Sequence, residues 1–348
     1  MQKHIIGWDI GGAHVKAALL DEAGQVLQVI QQPCPLWKGL FHLQSAIDAI
    51  LKTMPSKDVR HAVTMTGELV DCFDSREKGV EAIIRTLKSK VNAADVVVFA
   101  GTKGFLKADE VTRADTMAIA SANWIASAQF AAKRQTRALF VDIGSTTTDI
   151  LLIEDHVLKA EGLNDYERLV SGELLYTGII RTAVMAVAQR ALFNDKEMGL
   201  MAEYFATMAD VYRLTGDLSE SHDQSDTADG GEKTPRASAR RLSRMTGYEF
   251  KESDWPLWQA FAQELKCQQK QTIYLACLKQ MQRSSQPYSL CLVGAGVGRF
   301  LVKELAGELQ LDYVDFNRLF KQASLVGALN AADCAPAVSV AYLAGEFG

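Results

Sequence analysis

Three short segments of this chain combine residue types that suit phosphate chemistry. The first, Trp8-Asp9-Ile10-Gly11-Gly12-Ala13-His14-Val15-Lys16, puts an acid at the end of an apolar run and two glycines directly after it. Glycines let backbone N–H groups approach an anion, and an aspartate can hold hydrated Mg²⁺ against the same phosphate. Asp-x-Gly-Gly alone also describes an ordinary hairpin turn. The second segment, Phe140 to Asp149, repeats the order of strand, Asp142, x and Gly144, then supplies Ser145, Thr146, Thr147 and Thr148. Hydroxyls and N–H groups at such a turn make a phosphate cradle; without an anion they would be donors in need of partners. A threonine-rich strand accounts for the threonines but not for a second Asp-x-Gly at the matching place. The third segment, Leu292 to Phe300, carries Gly294, Gly296 and Gly298. Arg299 stands where a dinucleotide fingerprint requires glycine, which argues against a Rossmann site. The turn then either lies against a flat ligand such as adenosine or simply joins a strand to a helix.

Other polar residues need a position before they have a role. Glu68 and Asp71 follow a strand predicted over 59–65, where they bind a substrate ammonium, act as a base, or sit in a solvated loop. Asp210, Tyr212 and Arg213 precede a polar tract, and Asp229 and Lys233 follow its acidic part, so the region reads as a surface loop or a lid that supplies charge. Asn123 and Trp124 on an alanine-rich helix read as core packing, and His14 as a solvent-facing turn residue. Six cysteines lack any Cys-x-x-Cys or metal-ligand spacing with the histidines, which fits a reducing compartment.

The elements that must position these residues can be read from periodicity. Strands are predicted at 5–10, 15–20 and 25–31, with a turn at Asp21-Glu22-Ala23-Gly24, and again at 138–143, 148–153 and 156–161. The repeated meander predicts two similar halves. Helices are expected near 40–54, 79–91 and 112–133 in the first half, with a strand at 95–99. The second half predicts helices at 172–192, 198–209, 234–245, 255–283, 299–309, 317–330 and 337–345, a strand at 289–293, and an exposed loop at 219–232. The 348 residues suffice for two or three cores. A net charge of −5 argues against a nucleic-acid footprint, and no uncharged stretch is apolar enough for a bilayer. These features predict a soluble, unprocessed cytoplasmic protein with small-molecule partners and leave its oligomeric state open.

The three segments, in this order, resemble the phosphate 1, phosphate 2 and adenosine motifs of the acetate and sugar kinase, Hsp70 and actin superfamily. The resemblance implies a two-domain α/β, actin-like ATPase fold (a duplicated ribonuclease H-like fold) with a ligand in an interdomain cleft. Its parts would be residues 1–135 with phosphate 1, 136–335 with phosphate 2, the adenosine-type turn and a polar loop at 217–233, and a helix at 336–348 crossing back. Asp142 to Asp149 looks like the hydantoinase and oxoprolinase branch. Thr64 to Phe73, Ala122-Asn123-Trp124, Ser171 to Gly178, Met208 to Arg213, and Thr227 to Gly230 with Arg240-Arg241-Leu242-Ser243-Arg244 resemble proteins of tetrahydromethanopterin-linked one-carbon transfer in methylotrophs. They also resemble the furan-methanamine synthases of methanofuran biosynthesis. Ala183 stands where that pattern suggests proline, and the tract 219–226 is longer or more acidic than its surroundings need.

For those synthases the family reaction joins an aminomethylfuran-methyl diphosphate to the phenol of a tyramine or tyrosine unit, with loss of diphosphate. The resemblance implies Mg²⁺ at Asp9 and Asp142, with Glu68 and Asp71 as further catalytic carboxylates. It implies phosphate binding at Gly11, Gly12, Lys16, Gly144, Ser145, Thr146, Thr147 and Thr148, and substrate binding at Asp210, Arg213, Asp229 and Lys233. ATP at Gly294, Gly296 and Gly298 is the less favoured ligand. An ATP-using kinase or hydantoinase-like ATPase, and a non-enzymatic nucleotide-dependent assembly factor, are the alternatives.

Overall fold

The computed structural model describes residues 4–54, 58–92, 95–321 and 329–347. The chain divides into two compact units: residues 1–136, 153–158 and 315–348 form the first, and 137–152 with 159–314 the second.

The first unit is built on a six-stranded sheet in the order β3-β2-β1-β4-β5-β6. Its strands are β1 (His4–Ile10), β2 (His14–Leu20), β3 (Val26–Pro33), β4 (Val59–Met65), β5 (Val96–Phe99) and β6 (Phe105–Lys107). The helices are α1 (Leu40–Leu51), α2 (Arg76–Lys88), α3 (Thr116–Ile119) and α4 (Asn123–Ala132). Strand alternation sorts the faces of β1. Ile6, Trp8 and Ile10 join Leu43 and Ile47 of α1 and Ile83 and Leu87 of α2 in one core. Gly7 points the other way, toward a helix from the far end of the sequence.

In the second unit, β7 (Arg137–Ile143) and β8 (Thr148–Glu154) form the hairpin that repeats β1 and β2, while β9, in the 153–158 segment counted with the first unit, is only Val157–Leu158. Then come α5 (Asp165–Ser171), β10 (Leu174–Leu175), α6 (Val184–Val187), β11 (Arg190–Phe193) and β12 (Lys196–Gly199). The remainder is α7 (Met208–Thr215), α8 (Pro235–Thr246), α9 (Trp255–Met281), β13 (Cys291–Ala295), α10 (Arg299–Leu309) and β14 (Asp312–Asp315). The main sheet runs β10-β8-β7-β13-β14, with β7 and β13 parallel. Leu139 and Val141 of β7 share a core with Trp258, Phe261 and Leu265 of α9 and Leu301 of α10.

The last helix, α11 (Ala335–Glu346), belongs to the first unit and packs on β1 and α4. The contact is close because Gly7 has no side chain: a Cβ there would lie 1.9 Å from the Ala337 carbonyl oxygen. Small residues of α11, Ala337 and Ala341, face that glycine.

Several predicted elements differ. The helix expected over 172–192 is absent, because Gly172 takes a left-handed conformation (φ +79°) and caps α5; the chain then forms β10, one turn of helix and β11. The helix expected at 198–209 begins instead at Met208, where Thr207 and Asp210 form a capping box. The helix expected at 112–133 is split at Ser121, which has φ +52°. Of the helix predicted at 317–330, only a 3-10 turn, Phe316–Leu319, is seen, and residues 322–328 lie outside the described residues.

Candidate functional site

In the first unit, Asp9 lies next to last in β1, opposite Lys16 on β2 and Thr64 on β4. The Gly11 N–H donates to the His14 carbonyl at 2.9 Å and closes the turn, and the Gly12 carbonyl accepts from the Leu36 N–H at 2.9 Å. A Cβ on Gly12 would lie 2.8 Å from the Val70 side chain, so the loop after β4 sits directly against the turn. Asp9 is 7% exposed, and its Oδ1 lies 3.5 Å from the Asn123 side-chain amide. The Thr64 hydroxyl beside it is buried and has no hydrogen-bond partner among the described residues.

Glu68 is buried just past β4, where its Oε1 accepts from the Ser121 hydroxyl at 3.0 Å. The bend that splits the predicted helix therefore has a use: residues 121–123 reach both Glu68 and Asp9. Asp71, in the same loop as Glu68, is exposed. Trp124 packs in the interior as the sequence suggests, whereas Asn123 turns to the carboxylate.

The second unit repeats this turn. Asp142 is next to last in β7, opposite Ala295, and the Gly144 N–H donates to the Thr147 carbonyl at 2.9 Å. A brace from residues 178–181 holds the turn from behind. The Ile179 N–H donates to the Gly144 carbonyl (3.1 Å), and the Ile180 and Arg181 N–H groups to the Ser145 carbonyl (3.1 and 2.9 Å). Only glycine fits at 178, since a Cβ would lie 2.5 Å from the Thr146 nitrogen.

The hydroxyls of this turn differ in use. Thr148 is buried and donates to the Thr177 carbonyl at 2.7 Å. Ser145 has a buried hydroxyl with no hydrogen-bond partner among the described residues. Thr146 and Thr147 are partly exposed, and the Arg181 guanidinium lies 3.5 Å from the Thr146 hydroxyl. Behind the brace, Gln269 of α9 donates to the Thr177 hydroxyl (2.7 Å) and the Gly178 carbonyl (2.9 Å), and accepts from the Tyr212 hydroxyl (2.5 Å).

The glycines of the third segment are engaged with Asp142 and its neighbour. Gly296 has φ +79°, and a Cβ there would lie 2.2 Å from the Ile143 carbonyl and 2.3 Å from Asp142 Oδ1. The Gly298 N–H donates to the Ile143 carbonyl at 2.9 Å. At Gly294 the contact is the Tyr313 ring. This turn buttresses the end of β7.

Asp210, Arg213, Asp229 and Lys233 come together, but with one another. Asp210 accepts from Arg241 Nε (2.8 Å), the Ser238 hydroxyl (2.7 Å) and the Thr207 N–H (3.1 Å). Arg213 pairs with Asp223 (2.6 Å) and Glu220 (2.9 Å), and Lys233 donates to the Asp223 carbonyl (2.8 Å). Asp229 accepts from Arg241 at 3.0 Å. Asp223 belongs to the tract expected to be exposed, yet it is buried, because Arg213 draws its carboxylate inward. Burial alone would raise the Asp229 carboxyl, but the Gly231 N–H and the Arg241 guanidinium outweigh it and hold the group below its ordinary range.

No group of three His, Cys, Asp or Glu side chains able to enclose a metal occurs among the described residues. Mg²⁺ carried with a diphosphate keeps most of its waters and takes one or two carboxylates plus phosphate oxygens rather than an all-protein cage. A carboxylate beside a glycine turn and an unpartnered buried hydroxyl, Thr64 with Asp9 and Ser145 near Asp142, suits such a ligand in each unit.

The hydantoinase/oxoprolinase family model matches residues 60–335. The chain belongs to this family. Among its relatives is the (4-{4-[2-(gamma-L-glutamylamino)ethyl]phenoxymethyl}furan-2-yl)methanamine synthase of Methanocaldococcus jannaschii, 33% identical over 246 residues, covering 70% of this chain and 72% of that one. The enzyme of the same name from Methanococcus vannielii is 36% identical over 107 residues, 31% of this chain and 48% of that one. The acetone carboxylase nucleotide-free structure is similar in fold, with a TM-score of 0.61 at 9% identity, over 98% of this chain and 70% of that one. This hydantoinase/oxoprolinase family member thus has the two-domain α/β, actin-like ATPase fold. No described helix is long and apolar enough to cross a membrane.

Sequence reasoning missed Thr64, Ser121 and Asn123 as neighbours of the carboxylates. Thr64 and Asn123 fall in segments that carry the family resemblance, which was the available signal. In the brace at 178–181 only Gly178 falls in such a segment; the rest carried no signal, because its contacts are backbone groups meeting a turn more than thirty residues earlier.

Proposed function

We propose that this protein is a transferase of methanofuran-type cofactor assembly, joining an aminomethylfuran-methyl diphosphate to the phenol of a tyramine or tyrosine unit, free or glutamylated, and releasing diphosphate. Its setting would be cytoplasmic, tetrahydromethanopterin-linked one-carbon metabolism. The observation that carries this is the pair of Asp-x-Gly turns closed by the same N–H to carbonyl bond in both units, in a chain 33% identical to such a synthase.

A furylmethyl diphosphate ionises readily, since the ring stabilises the cation, so the protein's task is to neutralise the departing anion and exclude water. The carbon–oxygen bond to diphosphate breaks with its electron pair on the leaving group, and the phenol oxygen forms the new bond and gives up its proton. Bound Mg²⁺ would supply charge to the diphosphate oxygens, and Asp9 in the first unit and Asp142 in the second are each a carboxylate suited to hold it. The Gly11 and Gly12 backbone with Lys16 in the first unit, and the Gly144 backbone with the hydroxyls of Ser145, Thr146 and Thr147 in the second, would each donate to phosphate oxygens. Glu68, fixed by Ser121, and Asp71 are the carboxylates proposed to take the phenol proton or hold the substrate ammonium. The buttressing use of Gly296 and Gly298 favours this reading over an adenosine site.

The test is turnover without nucleotide. Protein with Mg²⁺, the furan diphosphate and the phenol should release diphosphate and form the ether with no ATP present. Product that appears only with ATP, one ATP hydrolysed per ether, would overturn the proposal.

A further inference from the structure

We infer that Arg181 is a further ligand-binding residue of this protein, a guanidinium that clamps the departing diphosphate at the second turn. The inference rests on the transferase reading and adds a group that the motifs do not contain.

Arg181 is joined to the Asp142–Thr147 turn twice. Its backbone N–H donates to the Ser145 carbonyl at 2.9 Å, and its guanidinium lies 3.5 Å from the Thr146 hydroxyl. At that spacing the guanidinium and the Thr146 hydroxyl are close enough to donate to one and the same phosphate. Arginine presents its N–H groups in a planar fork that matches two oxygens of one phosphate, which a lysine cannot do. The side chain is exposed, so an arriving anion would not have to break into the core to reach it.

A second observation points to an anion at the same place. The Ser145 hydroxyl is buried and without a hydrogen-bond partner among the described residues, although its own carbonyl is engaged by Ile180 and Arg181. A buried donor is costly to leave unsatisfied, and a phosphate oxygen would satisfy it. The arm that carries Arg181 is rigid: Gly178 is pressed on the turn, its carbonyl takes a bond from Gln269, and its N–H donates to the Thr182 hydroxyl at 2.8 Å. Arg181 is therefore delivered by a buried, hydrogen-bonded brace rather than by a mobile loop.

The probe is inorganic diphosphate with Mg²⁺, titrated calorimetrically into the full chain, with the thermal midpoint read in parallel. Arg181→Ala should weaken binding by about 10- to 100-fold, the range of one charge-assisted hydrogen bond, and leave the midpoint unchanged. Arg181→Gln should behave alike and replaces the alanine variant if that one does not fold. Arg181→Lys should recover only part of the affinity. Arg190→Ala, which removes an exposed charge paired with Glu197 on the β11–β12 hairpin, controls for net charge and should bind as wild type. Wild-type affinity in Arg181→Ala or Arg181→Gln, or a loss matched by Arg190→Ala, would overturn the role of Arg181 alone. Wild-type protein that binds no diphosphate would overturn the transferase reading together with it.

Discussion

Asp9 and Asp142 stand at equivalent ends of equivalent strands, each two residues before the glycine whose N–H closes the turn. Neutralising either should act on chemistry more than on packing. Asp9→Asn and Asp142→Asn should each lower turnover by about 100-fold or more while circular dichroism stays that of wild type; full activity in both would contradict the turns' role. Asp210 should behave oppositely. Its removal would take the buried Ser238 hydroxyl's acceptor and leave the buried Arg241 guanidinium with Asp229 as its remaining carboxylate, so Asp210→Ala should cost about 1.5 to 3 kcal/mol in urea unfolding. The two kinds of aspartate look the same in the sequence. Asp-x-Gly is legible because its meaning is local, a few residues at a turn, whereas the use of Asp210 depends on an arginine 31 positions later. The threonine run was legible only in part for the same reason: Thr148 gives its hydroxyl to Thr177, a partner that no spacing rule within the run reveals.

At the scale of elements, the second turn is held from two sides, by the 178–181 brace and by the 294–298 turn. Gly296 meets both conditions that exclude other residues, a positive φ and no room for a Cβ. Gly296→Ala should therefore displace Asp142 or Ile143, weaken diphosphate binding and lower the thermal midpoint together; a variant as stable as wild type would show that the buttress yields freely. Gln269→Leu separates the two effects differently. It keeps volume in the core but leaves the Thr177 hydroxyl, the Gly178 carbonyl and the Tyr212 hydroxyl short of a partner. Diphosphate affinity should fall, and Gln269→Glu, which keeps the acceptor for Tyr212 but not the donors for the brace, should not restore it. Strands β1, β2, β4, β7 and β8 were readable as short apolar runs bounded by turn residues, and helix α10 by its 3.6-residue spacing. The stretch 172–209 was not. Its apolar residues serve short strands and single turns set by Gly172, Gly178 and the Thr207 cap, so periodicity there imitates two helices that the glycines and the cap prevent.

At the scale of the whole molecule, acid should weaken the first unit through His61. The imidazole is buried on β4 and accepts a hydrogen bond from the Trp8 indole N–H at 3.1 Å. Burial pushes its pKa down to about 4, with Asp95 opposing, whereas the unfolded chain takes up the proton near 6.5. Stability is then complete above pH 6.5 and is lost as pH falls toward 4, by about 1.4 kcal/mol per pH unit. Chemical unfolding at pH 7.0, 5.5 and 4.5 should show that slope, and the His61 ring resonances should stay those of the neutral form down to pH 5. The duplication itself was legible from the two meanders, because each is a local hairpin with its own turn.

The first unit is drawn from three separate stretches of the chain, and the helix that closes over Gly7 is the last of them. During synthesis β1 leaves the ribosome more than three hundred residues ahead of the partner that covers one of its faces, whereas the second unit has all its strands in hand by residue 315. The older end of the nascent chain must wait for the younger, and in that interval one side of β1 stays uncovered.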